Sequence, residues 1–161
     1  MGTVTYPDPA VEALLVENFV GLKINVAERH PDFKEAAGGA MVPWAPLFRT
    51  TDAKGREMRR TLGWLSPADF VCDLRIAMGL GQISRARFDL ALRDFEGVAG
   101  ARSPLAPEAG YYAGVAAFLG AKRDMELLRD HWDRLRRNHP TSAWARKAAV
   151  IDDHPPGTPH A

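Results

Sequence analysis

The stretch MVPWAPLFRTTDAKGREMRRTLGWLS, residues 41–66, predicts two strands joined by a turn, and the rest of the chain is arranged around it. Leu47 to Thr51 contains an aromatic residue and two threonines, which favour a pleated strand. The turn at 52–55 opens on an aspartate, which bonds the backbone ahead of it, and closes on a glycine, which accepts a positive φ. Residues 57–62 alternate charged and uncharged side chains weakly, as in a strand with one solvated face, and form the second predicted strand.

A helix is predicted directly after the second strand, which ends at Gly63. Ser66 is a favourable cap, and Pro67 suits the first helical position. The apolar residues that follow share one side of the helix, and Gly79 and Gly81 are predicted to end it. Those apolar residues are Phe70, Val71, Leu74 and Met78.

The segment Trp44-Ala45-Pro46 leads into the first strand. An X-Pro bond at this position is either an ordinary strand edge or a cis peptide with a function, and only about 5% of such bonds are cis. Trp44 and Trp64 lie on either side of the hairpin in the sequence. Packing of both in the core is the favoured interpretation, and a surface groove lined by them is the alternative.

The charges of the chain nearly cancel, with 21 basic and 20 acidic residues among 161 and a net charge of +1. This balance favours neither nucleic acid nor a membrane surface as a partner. Arg56, Arg59 and Arg60 cluster near the hairpin, where a solvated strand face explains them better than an acidic peptide partner. No apolar run approaches the ~20 residues of a membrane span, and no signal segment follows Met1, which indicates a soluble and, as written, cytoplasmic protein.

Cys72 is the single cysteine, which excludes an internal disulfide, a Cys-x-x-Cys pair and a cysteine-rich zinc site. Its place two residues after Phe70 predicts a buried core residue. The five histidines form no i, i+4 pair with a carboxylate, and neither a phosphate loop nor a nucleophile with its base is recognisable. The sequence therefore predicts no catalytic residue, no metal site and no cofactor.

The N-terminal part predicts a helix followed by a strand. Asp8 and Pro9 start the helix, which carries an apolar stripe up to Phe19. Residues 20–26 then alternate valine, leucine and isoleucine with Gly, Lys and Asn, a period of two that is typical of a strand. A short helix is expected within 27–37.

Residues 84–150 show only helical patterns. Two of these helices look related, because the same apolar pattern followed by proline recurs at offsets of 37, 37, 37 and 36 residues. The corresponding residues are Ala91, Phe95, Val98 and Pro104 in the first copy and Leu128, Trp132, Leu135 and Pro140 in the second. This period indicates stacked helix pairs, with a helical hairpin of no repeat ancestry as the alternative. Residues 152–161 contain three prolines and predict a disordered tail.

The order of elements over residues 6–81 resembles the thioredoxin fold, starting partway along that fold, at the helix that follows the redox motif. Residues 8–26 look like the helix and strand that follow the redox motif, and Trp44-Ala45-Pro46-Leu47 looks like the segment with the family's cis-proline. The pattern Asp52-x-x-Gly55-x-Glu57, with Gly63 after it, looks like the final hairpin. Residues 84–150 resemble tetratricopeptide-type repeats, through Ala91-x-x-x-Phe95, Gly114 and Pro140-x-Ser142.

The resemblance implies an α/β thioredoxin-like domain at 1–81 without its first strand, a helical repeat domain at 82–151 and a tail at 152–161. It also implies a cis peptide at Ala45-Pro46, with Trp44, Ala45 and Pro46 presenting backbone groups to a bound peptide. The redox motif and the central strand of a thioredoxin would fall just before Met1, and this chain has neither. Without those cysteines, disulfide exchange lacks both its nucleophile and its resolving thiol.

The absent central strand leaves the strands at 20–26 and 47–51 without their neighbour, which would expose backbone donors and acceptors. Either the two strands pair directly, or a partner adds a strand, or the native product begins upstream of Met1. The expected function is a redox-inactive protein-interaction module that binds a protein or peptide. The alternatives are a truncated thiol-disulfide oxidoreductase, whose parent protein could be exported, and a structural subunit whose edge strand another chain completes.

Overall fold

The computed structural model describes residues 5–28 and 30–153. Within these residues the fold is mixed and rich in helix, with seven α-helices and one two-stranded antiparallel sheet. The chain divides into two compact units, and the boundary between them falls between Leu74 and Arg75. We call them the N-terminal unit and the helical unit.

The N-terminal unit contains two helices, a hairpin and the beginning of a third helix. Its elements are α1 (Pro9–Asn18), a 3-10 turn (Val26–Glu28), α2 (Phe33–Ala36), β1 (Leu47–Thr51), β2 (Glu57–Leu62) and α3 (Pro67–Ile83), which continues into the helical unit. The helical unit then consists of α4 (Phe88–Ala99), α5 (Ala106–Gly120), α6 (Met125–Asn138), α7 (Ala143–Ala148) and a 3-10 turn (Ala149–Asp153).

The core of the N-terminal unit forms where α1 and the hairpin meet the first turns of α3. Asp8 caps α1, as the sequence predicts, because its Oδ1 accepts two amide hydrogens of the first turn at 2.9 and 3.3 Å. Val11 is fully buried in the same cluster as Phe70. The ring of Phe48 in β1 lies 4.7 Å from that of Phe70. The predicted apolar stripe of α1 is therefore its packing face.

The hairpin has the predicted strands and turn. Leu47 pairs with Leu62 and Arg49 with Arg60, and the register shifts between Thr50 and Thr51. Asp52 organises the turn, since its Oδ1 accepts the amide hydrogens of residues 54 and 56, each at 2.9 Å. The positive φ of Gly55, 77°, is the one that the turn sequence predicts.

The predicted strand at 20–26 is wrong. Residues 20–25 have neither strand nor helix structure, and a 3-10 turn begins at Val26. The direct pairing of this segment with β1 is also absent from the described residues, where β1 pairs only with β2. A period-two sequence fits a strand, but a strand forms only where a neighbour accepts its hydrogen bonds. Among the described residues, this segment has no such neighbour.

The predicted end of α3 at Gly79 and Gly81 is also wrong, because the helix continues to Ile83. A Cβ on Gly79 would lie 2.6 Å from the ring of Phe95 in α4. The glycine therefore permits close packing of an aromatic ring rather than a helix end.

The apolar residues that recur 37 positions apart in the sequence are buried in the helical unit. Ala91, Phe95 and Val98 are buried in α4, and the matching residues of α6 are buried too. Those are Leu128, Trp132 and Leu135. Neighbouring helices in the sequence pack on each other, α4 on α5, α5 on α6, and α6 on α7. A series of packed helices is thus present, while its ancestry as a repeat stays a prediction.

The predicted disordered tail at 152–161 lies outside the described residues from 154 onward, while 152 and 153 belong to the last 3-10 turn. Among the helices of the described residues, none has the length and apolar character that crossing a bilayer requires.

Candidate functional site

The residues singled out by the sequence, Trp44, Ala45 and Pro46, lie at the open end of the hairpin, opposite the turn. The Ala45–Pro46 peptide bond is cis, as the resemblance led us to expect. The carbonyl oxygen of Pro46 accepts the amide hydrogen of Gly63 at 2.8 Å, which extends the pairing one step beyond β1 and β2. Gly63 has a φ of 98°, which directs the chain away from the sheet at this point.

Large apolar side chains are exposed around this open end. The exposed fractions are 72% for Trp44, 60% for Trp64 and 46% for Leu62. We call these three residues the tryptophan patch. Core packing of Trp44 and Trp64, the interpretation that the sequence favoured, is therefore wrong. Exposed apolar patches on a protein surface are typical of sites that bind another protein, a membrane or a ligand.

The backbone beside the tryptophan patch has hydrogen-bonding groups that point outward. Hydrogen-bonded and non-hydrogen-bonded pairs alternate along an antiparallel ladder. Because Gly63 donates to Pro46, the next pair, Leu47 with Leu62, is a non-hydrogen-bonded pair. The amide and carbonyl groups of these two leucines therefore face the two outer edges of the hairpin. An extended peptide could bond to either edge while its side chains reach the patch.

Arg49 and Arg60 lie on the same face of the hairpin as Leu62, nearer the turn, and their side chains belong to an ion-pair network. Glu57 accepts hydrogen bonds from Arg49 Nε at 2.8 Å and from Arg60 Nε and Nη2 at 2.8 and 2.6 Å. The two guanidinium groups also donate to the carbonyl oxygens of Ala36, at 3.3 Å, and Ala37, at 3.0 Å. The hydrogen bonds from Arg60, and then those from Arg49, lower the pKa of Glu57 to about 2. The network ties the C-terminal end of α2 to the hairpin and so leaves the apolar end as the open part of this face.

The opposite face of the hairpin is anchored to α3 by a buried ion pair. Asp73 Oδ1 accepts from Arg59 Nε at 2.6 Å and from Thr61 Oγ1 at 2.7 Å. The side chain of Asp73 is 2% exposed and that of Arg59 is 10% exposed. The prediction of a solvated strand face is therefore wrong for Arg59, while Arg56, whose side chain is 57% exposed, agrees with it.

Cys72 is buried in α3, which confirms its predicted place in the core. Within the described residues, no group of three or more histidine, cysteine or acidic side chains is arranged to hold a metal ion.

The helical unit contains an aromatic cluster and a shallow depression. The Tyr111 ring stacks on Trp132 at 4.6 Å, and Trp132 Nε1 donates to the carbonyl oxygen of Tyr111 at 3.0 Å. The depression, about 540 Å³ in volume, is lined on one side by Arg136 and Arg146. Arg136 forms two hydrogen bonds to the Asp152 carboxylate, both 2.9 Å, so its guanidinium is occupied by an acid of its own chain. The cluster is packed ring against ring, and the hairpin surface is the better candidate.

Comparisons with known proteins do not assign the chain to a family. No protein-family model, curated protein or solved structure matches it.

Proposed function

We propose that this protein is a non-catalytic protein-interaction module that binds an extended, apolar peptide segment at the open end of the hairpin. The observation that carries this proposal is the exposure of Trp44, Leu62 and Trp64 next to strand edges that no further strand of the described residues covers. An added strand supplies backbone hydrogen bonds, and alternate side chains of the added strand reach the apolar surface, so affinity and selectivity come from different groups.

In this proposal the N-terminal unit is a redox-inactive relative of the thioredoxin fold. The order of a capped helix, Pro46, a strand, a glycine turn, a strand and a helix supports this relation. The burial of Cys72, the single cysteine, supports the lack of redox activity, since a reactive thiol needs exposure. An insulin-reduction assay is expected to remain blank, and turnover above the level of a Cys72→Ser variant would contradict a non-catalytic module.

The helical unit is proposed to be a pair of tetratricopeptide-like helix hairpins that offers a second surface. Support comes from Phe95 and Trp132, which are 37 residues apart and are both buried at the centre of their helices' packing faces. Stacked helix pairs of this kind commonly present an extended binding surface.

The test is selection from a displayed library of random peptides, followed by fluorescence-anisotropy titration of a selected peptide. Trp44→Ala and Trp64→Ala are each expected to weaken binding by about tenfold or more, because exposed tryptophans at such surfaces act as anchors. Val16→Ala is the matched control, since Val16 is 79% exposed on α1 and lies outside the patch. Equal affinity of wild type and both tryptophan variants would overturn the proposal.

A further inference from the structure

The N-terminal unit has a second exposed apolar surface, in residues 20–25, that complements the edge of the hairpin. Residues 20–25 belong to neither a helix nor a strand, and Val20 and Leu22 are 103% and 78% exposed. In a strand, alternate residues share a face, so that an added strand made of this segment has Val20, Leu22 and Ile24 on one face and Gly21 and Lys23 on the other. The segment has the pattern of a strand, and no strand of the described residues pairs with it.

The two surfaces carry opposite charge. Residues 5–28 contain four acidic residues and one lysine, a net charge of −3. Residues 47–62 contain five basic and two acidic residues, and Asp73 compensates the buried Arg59, which leaves a net charge of +2. Glu12 and Glu17 precede the segment in the sequence, Glu28 follows it, and all three are exposed. Opposite net charge on two apolar surfaces favours their association and opposes the association of each surface with itself.

We infer that the occupant of the hairpin edge is a second copy of this chain, whose residues 20–25 bind there as an added strand. The inference rests on the proposed function, because it uses the same edge and the same tryptophan patch. Val20, Leu22 and Ile24 of one copy pack on Trp44, Leu62 and Trp64 of the other. The exposed glutamates on either side of the segment face the basic hairpin.

The contact is reciprocal, since each copy carries both surfaces. Two copies related by a two-fold axis form two identical contacts, and the dimer closes without leaving either surface free. Pairing with a partner also provides the strand hydrogen bonds that no strand of the described residues offers to this segment.

The test uses one variant for each surface, with molar mass measured by light scattering after size-exclusion chromatography. Val20→Glu combined with Leu22→Glu removes the apolar side chains of the segment, and Trp44→Ser combined with Trp64→Ser removes the patch. Each double variant is expected to weaken dimerisation by at least about 100-fold, because both of its contacts are lost. Val16→Glu is the control and is expected to stay dimeric. All these positions are exposed, and circular dichroism checks that the variants are folded.

Mixing the two double variants provides the decisive measurement. The mixture contains one intact contact, between the wild-type segment of one variant and the wild-type patch of the other, so a heterodimer is expected where each variant alone is monomeric. Higher salt is expected to weaken the wild-type dimer, since its surfaces have opposite charge. A monomeric wild type, a dimeric double variant or a monomeric mixture would each overturn the inference.

The dimer and the proposed function fail in different ways. A monomeric wild type whose binding of selected peptides still depends on Trp44 and Trp64 overturns the dimer alone. If the wild type is monomeric and peptide binding is insensitive to both tryptophans, the proposed function is overturned as well.

Discussion

Two glycines in α3, Gly79 and Gly81, have the same place in the sequence pattern and different surroundings. A Cβ on Gly79 would lie 2.6 Å from two atoms of the Phe95 ring. A Cβ on Gly81 would meet only the end of the Arg85 side chain, at 3.8 Å. The neighbours in space therefore give each glycine its role, and the sequence pattern does not distinguish them.

We expect Gly79→Ala to lower the free energy of unfolding by about 1–3 kcal/mol, because the added methyl group forces the Phe95 ring out of its packed position. Gly81→Ala is the matched control in the same helix and should raise it by about 0.5–1 kcal/mol, since alanine favours the helix more than glycine. Urea denaturation followed by circular dichroism measures both. Equal effects of the two substitutions would contradict the close packing at Gly79.

The residues of the candidate site show how far single positions could be predicted from the sequence. Cys72 was predicted to be buried because a small apolar residue fits the packing face of its helix, and it is buried. Trp44, Trp64 and Arg59 were predicted wrongly. Hydrophobicity favours burial of a tryptophan, but the place of each chain segment decides whether there is anything to bury it against. Arg59 is buried because Asp73, on a different element, compensates its charge.

The hairpin is the element that was predicted best. Its turn depends on local chemistry, in which Asp52 bonds the amides ahead of it and Gly55 takes a positive φ, and both are properties of single residues. The strand at 20–26 depends on a partner strand elsewhere, and a pattern with a period of two cannot supply one. Local elements are therefore predictable from this sequence, and pairing between distant elements is not.

Two arginines of the hairpin provide a matched test of how it is attached to α3. Arg59→Met leaves the Asp73 carboxylate without its charged partner in a buried site, and we expect a loss of about 3–5 kcal/mol in the free energy of unfolding. Arg56→Met removes an ion pair with Asp52 whose arginine is 57% exposed, and it should cost less than about 1 kcal/mol. Denaturant unfolding monitored by circular dichroism compares the two. A similar small loss for both variants would show that the buried pair does not anchor the hairpin.

At the scale of the whole molecule, the two units contribute different steps to the dependence of stability on pH. Burial, and then Arg134, lower the pKa of His131 in the helical unit. The folded state thus binds the proton less readily than the unfolded state, and stability falls as the pH drops below about 6.5. Glu57 in the N-terminal unit has its pKa lowered to about 2. Its contribution is complete above the unfolded pKa and is lost between about pH 4.5 and 2.

We expect His131→Asn to remove part of the decrease in unfolding free energy between about pH 7.5 and 5.5. His139→Asn is the control in the same helical unit. Glu57→Gln should be less stable than wild type at neutral pH, and this difference should shrink as the pH falls from about 4.5 towards 2. Denaturant titrations at a series of pH values measure both effects. An unchanged pH profile in either variant would show that its side chain does not contribute the assigned step.

The sequence by itself determined the helices, the hairpin and its turn, because capping, turn chemistry and apolar periodicity act between residues that are close along the chain. Only the tertiary structure decided that residues 20–25 pair with no strand of the described part of the chain, that α3 continues past Gly79 and that Trp44 and Trp64 are exposed. Burial and strand pairing depend on which distant surfaces meet, and that information belongs to the folded chain.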